Sequence, residues 1–163
     1  MKNELFDYEY LVDFDGVILD SQDRFQNDMK DNNNIYDWIE YLSSIEWYKF
    51  LRECNEIDES IYVLKELQKY KKLLGIITAI HSFNEGQEKL IYLREREIEV
   101  PVIYTLPYQK KCDVYIPNKK ICLVDDKQKN CIDWQNAGGS ALVFDKNMKQ
   151  EQEGKIRTLK KLL

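Results

Sequence analysis

Tyr10-Leu11-Val12-Asp13-Phe14-Asp15-Gly16-Val17-Ile18-Leu19-Asp20-Ser21 is the stretch on which the reading of this chain turns. An apolar run that reads as a buried strand delivers two aspartates, one residue apart, to a point where a glycine lets the backbone turn. Two carboxylates at a strand end have a use if something cationic or reactive sits there. Asp-x-Asp-Gly also opens calcium loops, but an EF-hand starting at Asp13 would put Val17 and Arg24 at its fifth and twelfth positions, where oxygen ligands are required. The meaning of the pair therefore depends on what lies downstream.

Downstream, short apolar runs recur. Leu73-Leu74-Gly75-Ile76-Ile77-Thr78, Val100-Pro101-Val102-Ile103-Tyr104, Lys120-Ile121-Cys122-Leu123-Val124 and Ala141-Leu142-Val143-Phe144 read as strands. They are apolar on consecutive residues, as expected where both faces of a parallel sheet are covered. Between them the apolar residues take helical spacings. Ile35 to Leu51 reads as two short helices broken near Ser43-Ser44, the first capped by Asn34. A third helix starts at Asp58 or Ser60 and ends in the basic cluster Lys69, Lys71 and Lys72. Glu85 to Arg96 reads as a helix with Leu90, Ile91 and Leu93 on its buried side, and Gln128 to Ala137 as one stopped by Gly138-Gly139. Residues 20 to 34 read as a loop with at most a short helix, Val114-Tyr115-Ile116 as a short extended piece, and residues 149 to 162 as a terminal helix.

Strands alternating with helices predict an α/β fold: a three-layer, Rossmann-like parallel sheet of about five strands with right-handed crossovers. The 163 residues suffice for one domain, 1–163, with a small helical cap inserted at about 20–70. Ligands of such sheets bind at the carboxyl ends of the strands. That edge would carry Asp13 and Asp15, Thr78, and Asp125 and Asp126, with Lys110 and Lys111 in the loop before the fourth strand. Carboxylates gathered this closely repel one another unless a cation neutralises them. Oxygen donors select a hard ion, and Mg2+ suits a site with few carboxylates and room for water and phosphate. Such an ion, a lysine and a threonine hydroxyl can hold the three peripheral oxygens of a phosphoryl group, leaving one aspartate to attack phosphorus and another to handle the leaving-group proton.

Asp13-Phe14-Asp15-Gly16-Val17, Thr78 after its strand, a lysine in Lys110-Lys111, and Asp125-Asp126 after Ile121-Cys122-Leu123-Val124 resemble, in order, the four motifs of the haloacid dehalogenase (HAD)-like hydrolases. The resemblance runs from about residue 9 to about 145. Leu123-Val124-Asp125-Asp126-Lys127-Gln128-Lys129-Asn130, followed by Trp134 and Ala137-Gly138-Gly139, is similar to the small 5′-nucleotidase (deoxyribonucleotidase) branch. It implies a phosphomonoester hydrolase working through an aspartyl phosphate, with Asp13 as nucleophile and magnesium ligand. Asp15 would protonate the leaving oxygen, later activate water, and give its backbone carbonyl to the metal. Thr78 and neighbouring backbone amides, Gly16 among them, would bind the phosphoryl oxygens, and Lys111 or Lys110 would neutralise developing charge. Lys111 is favoured, because the branch tends to have a lysine followed by a small residue, here Cys112. Asp126 would ligate the metal directly and Asp125 from the outer shell. Asn130 stands where many relatives carry another acid, and the segment between the first two motifs leaves room only for a small cap.

Composition narrows the partners. A net charge of -5 argues against a partner bound mainly through a polyanionic backbone, since such affinity comes largely from an excess of clustered Lys and Arg, so the expected partner is a small phosphorylated molecule such as a nucleotide, not nucleic acid. An enzyme acting on polynucleotide ends is accordingly disfavoured. A receiver-type phosphoacceptor domain shares Asp, Thr and Lys, but its acidic pair comes early and no second pair follows its lysine. Four cysteines without Cys-x-x-Cys spacing read as reduced thiols, and Met1 to Asp7 carry no long apolar run, so the expectation is a cytoplasmic protein that does not enter the membrane. His81, the sole histidine, reads as a polar surface or capping residue. The aromatic residues Tyr36, Trp38, Tyr41, Trp47, Tyr48 and Phe50 read mostly as packing.

Overall fold

A computed structural model gives the structure of this protein and describes residues 7–29 and 35–163. Asn34, the expected cap of the second helix, lies outside the described residues. The apolar runs form parallel strands: β1 (Glu9–Val12), β2 (Leu73–Ala79), β3 (Val102–Thr105), β4 (Ile121–Asp125), β5 (Ser140–Phe144) and β6 (Lys155–Ile156). Their order across the sheet is β3-β2-β1-β4-β5-β6. The chain thus builds outward from β1 in one direction, returns, and builds outward in the other. The crevice between β1 and β4 is the switch point where such sheets bind ligands.

The intervening residues form α1 (Ser21–Asp28), α2 (Ile35–Ser44), α3 (Trp47–Glu53), α4 (Ser60–Lys69), α5 (Phe83–Arg94), α6 (Lys111–Val114) and α7 (Gln128–Asn136). Successive side chains of a strand point to opposite faces, so β1 sends Tyr10 and Val12 into one core and Leu11 into another. On the first face they meet Leu64 and Leu67 of α4 and Tyr92 and Leu93 of α5. On the second, Leu11, Ile77 and Leu123 pack with Trp134 of α7. The result is the expected three-layer α/β arrangement.

Within the segment expected to form a cap, α4 packs against β2 and the C-terminal turn and so covers the sheet. The other helices gather around Phe25 of α1, whose ring meets Trp38 and Tyr41 of α2 and Trp47 and Phe50 of α3 at centroid distances of 5.1 to 6.4 Å. The break between α2 and α3 falls after Ser44, as the spacing predicts.

Three local expectations are corrected. Residues 149–162 form no long helix: Gly154 adopts φ +73°, β6 adds a sixth strand beside β5, and a 3-10 turn follows at Leu159–Leu162. Ile156, Leu159 and Leu162 are spaced by three and all buried, a pattern that a strand followed by a tight turn satisfies as well as a helix does. Val114 closes the short helix α6, and Tyr115 just after it is extended, stacking on Trp134 at 6.2 Å. In α5 the buried side carries Glu85, Lys89, Tyr92 and Leu93, whereas Leu90 and Ile91 are half-buried. Among the described residues no helix is long and apolar enough to cross a membrane.

Candidate active site

The β1–β4 ladder continues one residue beyond β1, with the Asp13 amide donating to the Val124 carbonyl at 2.9 Å. This register sets Asp13 level with the end of β4, where Asp125 and Asp126 follow. Gly16 closes the turn at φ +77°, and a Cβ there would stand 2.5 Å from Asp126 Oδ2. Only glycine combines that backbone conformation with so close an approach. The Gly16 amide itself donates to the Leu19 carbonyl at 2.8 Å and so closes the turn beside the carboxylates.

Asp13 is buried, with Oδ1 accepting from the Phe14 amide at 2.8 Å and facing Lys111 Nζ at 2.9 Å. Lys111, 5% exposed, also donates to Asp125 Oδ2 at 2.5 Å. Asp125 further accepts from the Lys127 amide and from Asn130 Nδ2, so both its oxygens are engaged. Asp126 differs: its Oδ1 is buried and has no hydrogen-bond partner. One carboxylate oxygen each from Asp13, Asp125 and Asp126 lies within 4.8 Å of the others. Burial first, then the charges of Asp125, Asp126 and Asp15, push Asp13 up to about 7 against the pull of Lys111. Burial and the charge of Asp125 push Asp126 up to about 6. An orphaned buried oxygen and acids that resist ionisation fit a divalent cation, which would relieve both.

Asp15 has different company. Ser21 Oγ donates to its Oδ1 at 2.6 Å, and Lys89 Nζ donates to its Oδ2 at 2.6 Å. Burial opposes ionisation, but Lys89 and the Ser21 hydroxyl outweigh it and hold Asp15 below the usual carboxylate range. Thr78, at the end of β2 and fully buried, brings its Oγ1 to 3.4 Å from the same Asp15 oxygen.

The structure therefore brings Asp13, Asp15, Thr78, Lys111, Asp125 and Asp126 together. It does not bring Lys110, whose half-exposed side chain pairs with Asp133 at 3.5 Å on the flank of α7. Sequence reasoning passed over Lys89 and Glu85, which are both buried beside the site. Their i, i+4 spacing on a helix starting just after Thr78 was the available signal.

A cavity of about 160 Å3 opens over this floor, bordered by Asp13, Asp15, Lys111, Lys127, Phe25 and Trp38. Next to it lies a groove of about 600 Å3 lined by Trp38, Ile39, Leu42, Trp47, Ile80 and Tyr108 among others. Trp38, His81 and Pro107 border both spaces. Helices α1 to α3 thus contribute aromatic walls next to the carboxylates, and Trp38 and His81 face the cavity as well as packing edge to face at 5.8 Å.

A scan of protein-family models found no match to this chain, and a search of curated proteins found none. Among solved structures, the fold is similar to that of a HAD hydrolase, family IA, variant 3, from Entamoeba histolytica HM-1:IMSS, with a TM-score of 0.58, 14% identity and 94% of each chain covered. It is also similar to a HAD-superfamily hydrolase from Ehrlichia chaffeensis, with a TM-score of 0.54, 9% identity, and 93% of this chain and 92% of that one covered. These likenesses establish a HAD-like fold.

Proposed function

We infer that this protein is a magnesium-dependent phosphomonoester hydrolase that works through an aspartyl phosphate. One observation carries the reading: Asp13 and the unpartnered Asp126 oxygen converge beside Lys111, with Asp15 and Thr78 on the same floor. Asp13 and Asp126 would hold the ion, with Asp125 behind them fixed by its own donors. Bound there, magnesium would neutralise charge on the phosphoryl oxygens and on the acids around it.

Each side chain then has a defined part. An Asp13 oxygen bonds to phosphorus as the bond from phosphorus to the leaving oxygen breaks, and Lys111 and the Thr78 hydroxyl stabilise the charge on the peripheral oxygens. Asp15 hands a proton to the leaving oxygen. Its resting form is the carboxylate, so that proton enters with the substrate as the monoanion of the phosphomonoester. In the second step the Asp15 carboxylate takes a proton from water. The water oxygen bonds to phosphorus, the Asp13–phosphorus bond breaks, and phosphate leaves.

Nucleoside 5′-monophosphates are the proposed substrates. The adjoining groove supports them, since Trp38 and its apolar neighbours offer a flat ring a place to stack while Ser82 and Asn84 offer polar edges. The four cysteines are free thiols, in keeping with a reducing compartment such as the cytoplasm. Purified protein with Mg2+ is expected to release phosphate from p-nitrophenyl phosphate and from members of a nucleotide panel. Asp13→Asn should abolish release while leaving the circular dichroism spectrum unchanged. A metal-replete, folded protein that turns over no phosphate ester would overturn the reading.

A further inference from the structure

Lys89 is the most deeply buried cation of the described chain, with none of its surface exposed, and the reaction outlined above gives it no part. Taking an ammonium out of water is costly, and in a helix of otherwise mixed character that cost must be met by specific partners. The partners are unusually complete. Nζ donates to Asp15 Oδ2 at 2.6 Å, to Glu85 Oε1 at 2.7 Å, to the Ala79 carbonyl at 3.0 Å and to Thr78 Oγ1 at 3.1 Å. Four acceptors share three N–H groups, which fixes the ammonium in one place.

Two of these acceptors are catalytic groups from different strands, Asp15 after β1 and Thr78 at the end of β2. With Lys89 donating to Thr78 Oγ1, the threonine oxygen serves as an acceptor there, and its own hydrogen has only the long contacts to Asp15 Oδ2 at 3.4 Å and the Ala79 carbonyl at 3.3 Å, which a phosphoryl oxygen would replace. With Lys89 on Oδ2 and Ser21 on Oδ1, the Asp15 carboxylate is held at both oxygens. Behind the lysine, Glu85 spends its other oxygen on the His81 amide at 2.7 Å, and His81 Nδ1 lies 3.1 Å from the same oxygen. The helix start is pinned in turn by Ser82, whose hydroxyl accepts from the Glu85 amide.

We propose that Lys89 is a positioning residue: anchored by Glu85, it locks the Asp15 carboxylate and the Thr78 hydroxyl in the relative orientation that phosphoryl transfer needs. Glu85 alone would pair the ammonium's charge, yet Nζ also reaches Asp15 at 2.6 Å and Thr78 at 3.1 Å, tying together two groups of the site from different strands. The proposal rests on the phosphatase reading for its kinetic consequence but not for its geometry.

The test uses Lys89→Met and the charge-balanced pair Lys89→Met/Glu85→Gln, which guards against a fold lost to one unpaired buried acid. Full-length variants are compared with wild type by thermal melting, by kinetics with Mg2+, and by crystallography. Misplacing a reacting group by about 1 Å costs on the order of 100-fold. The folded variant should therefore lose about 100-fold in kcat/KM on phenyl phosphate, whose leaving oxygen needs the Asp15 proton. It should lose at least tenfold less on 2,4-dinitrophenyl phosphate, whose leaving group departs without one. Its crystal structure should show Asp15 turned away from the position it shares with Thr78. Equal losses on both esters, or a folded double variant with wild-type kinetics, would overturn the proposal. Should the wild type hydrolyse no ester at all, the phosphatase reading fails alone and the crystal structure decides: Asp15 and Thr78 unmoved without Lys89 would refute the lock.

Discussion

Two buried lysines each sit between two carboxylates: Lys111 between Asp13 and Asp125, and Lys89 between Asp15 and Glu85. In both, neighbouring acids more than offset burial and raise the ammonium above its ordinary pKa. The surroundings differ. The Lys111 side has an excess of acid, with an orphaned oxygen on Asp126 and an Asp13 that resists ionisation. The Lys89 side is saturated with donors. One half of the site thus carries acids and an oxygen that the proposed cation would satisfy, and the other is finished by the protein's own side chains.

Removing Lys111 should break this comparison hardest. One lost donor to a charged transition state costs about 100- to 1,000-fold in rate, so Lys111→Met is expected to fall at or beyond the top of that range in kcat while also exposing Asp13 to Asp125. Steady-state kinetics on p-nitrophenyl phosphate checks it; a loss below tenfold would mean that the two lysines have exchanged importance. Glu85→Gln should act more mildly, lowering kcat about tenfold by loosening Lys89 while leaving KM within about threefold, because the Asp15 and Thr78 contacts remain.

The two halves should also separate by pH. Asp13, at about 7 in the metal-free fold, and Asp126, at about 6, both lie above the roughly 3.9 of an unfolded aspartate. The folded state binds more protons than the unfolded one between those values, so the stability these groups contribute is full below about pH 4 and is lost as pH rises through 6 to 7. Asp15 works in the opposite sense: its contribution is present above its unfolded value and is lost only as pH falls toward its lowered one. Metal-free protein is expected to lose about 5 °C in Tm between pH 5 and 8 from the Lys111 side. Millimolar Mg2+ should cancel that decline, since the ion competes with the same protons. A flat profile that ignores magnesium would show that these acids hold no cation. Lys110→Ala is the smallest case, with kcat within twofold and stability within about 0.5 kcal/mol, as for an exposed lysine with one surface partner.

The same contrast explains what could be read in advance. Lys110 and Lys111 were legible as a pair because they precede a strand that ends in two acids, and Lys111 was favoured within it only through the family resemblance, in which the lysine is followed by a small residue, here Cys112. Lys89 was not, because an apolar-face reading of α5 favoured Leu90, Ile91 and Leu93, and a lysine in a helix defaults to solvent. Only tertiary structure shows that the face turned toward Thr78 is the one starting at Glu85. The strands were legible because full burial on both sides leaves an uninterrupted apolar run, as in Ile121 to Val124. Residues 149–162 misled because a spacing of three fits several backbones equally, and the glycine at 154 decided among them. The roles of Trp38 and His81 beside the cavity depended on how α2 folds over the strand ends, which no local pattern encodes.

The order β3-β2-β1-β4-β5-β6 has a consequence for how this molecule assembles. Everything needed to build Asp15, Thr78 and Lys89 into one cluster is present once β1, β2 and α5 have come together. Asp13 gains Asp125 and Asp126 only when the later half of the chain docks β4 against β1, the contact of longest sequence separation in the sheet. A chain arrested before that docking would hold its acid–base group in place yet have no cage for an ion. On the proposed reading, magnesium uptake during refolding would therefore time the closing of the sheet, making the metal a clock for the last half of the fold.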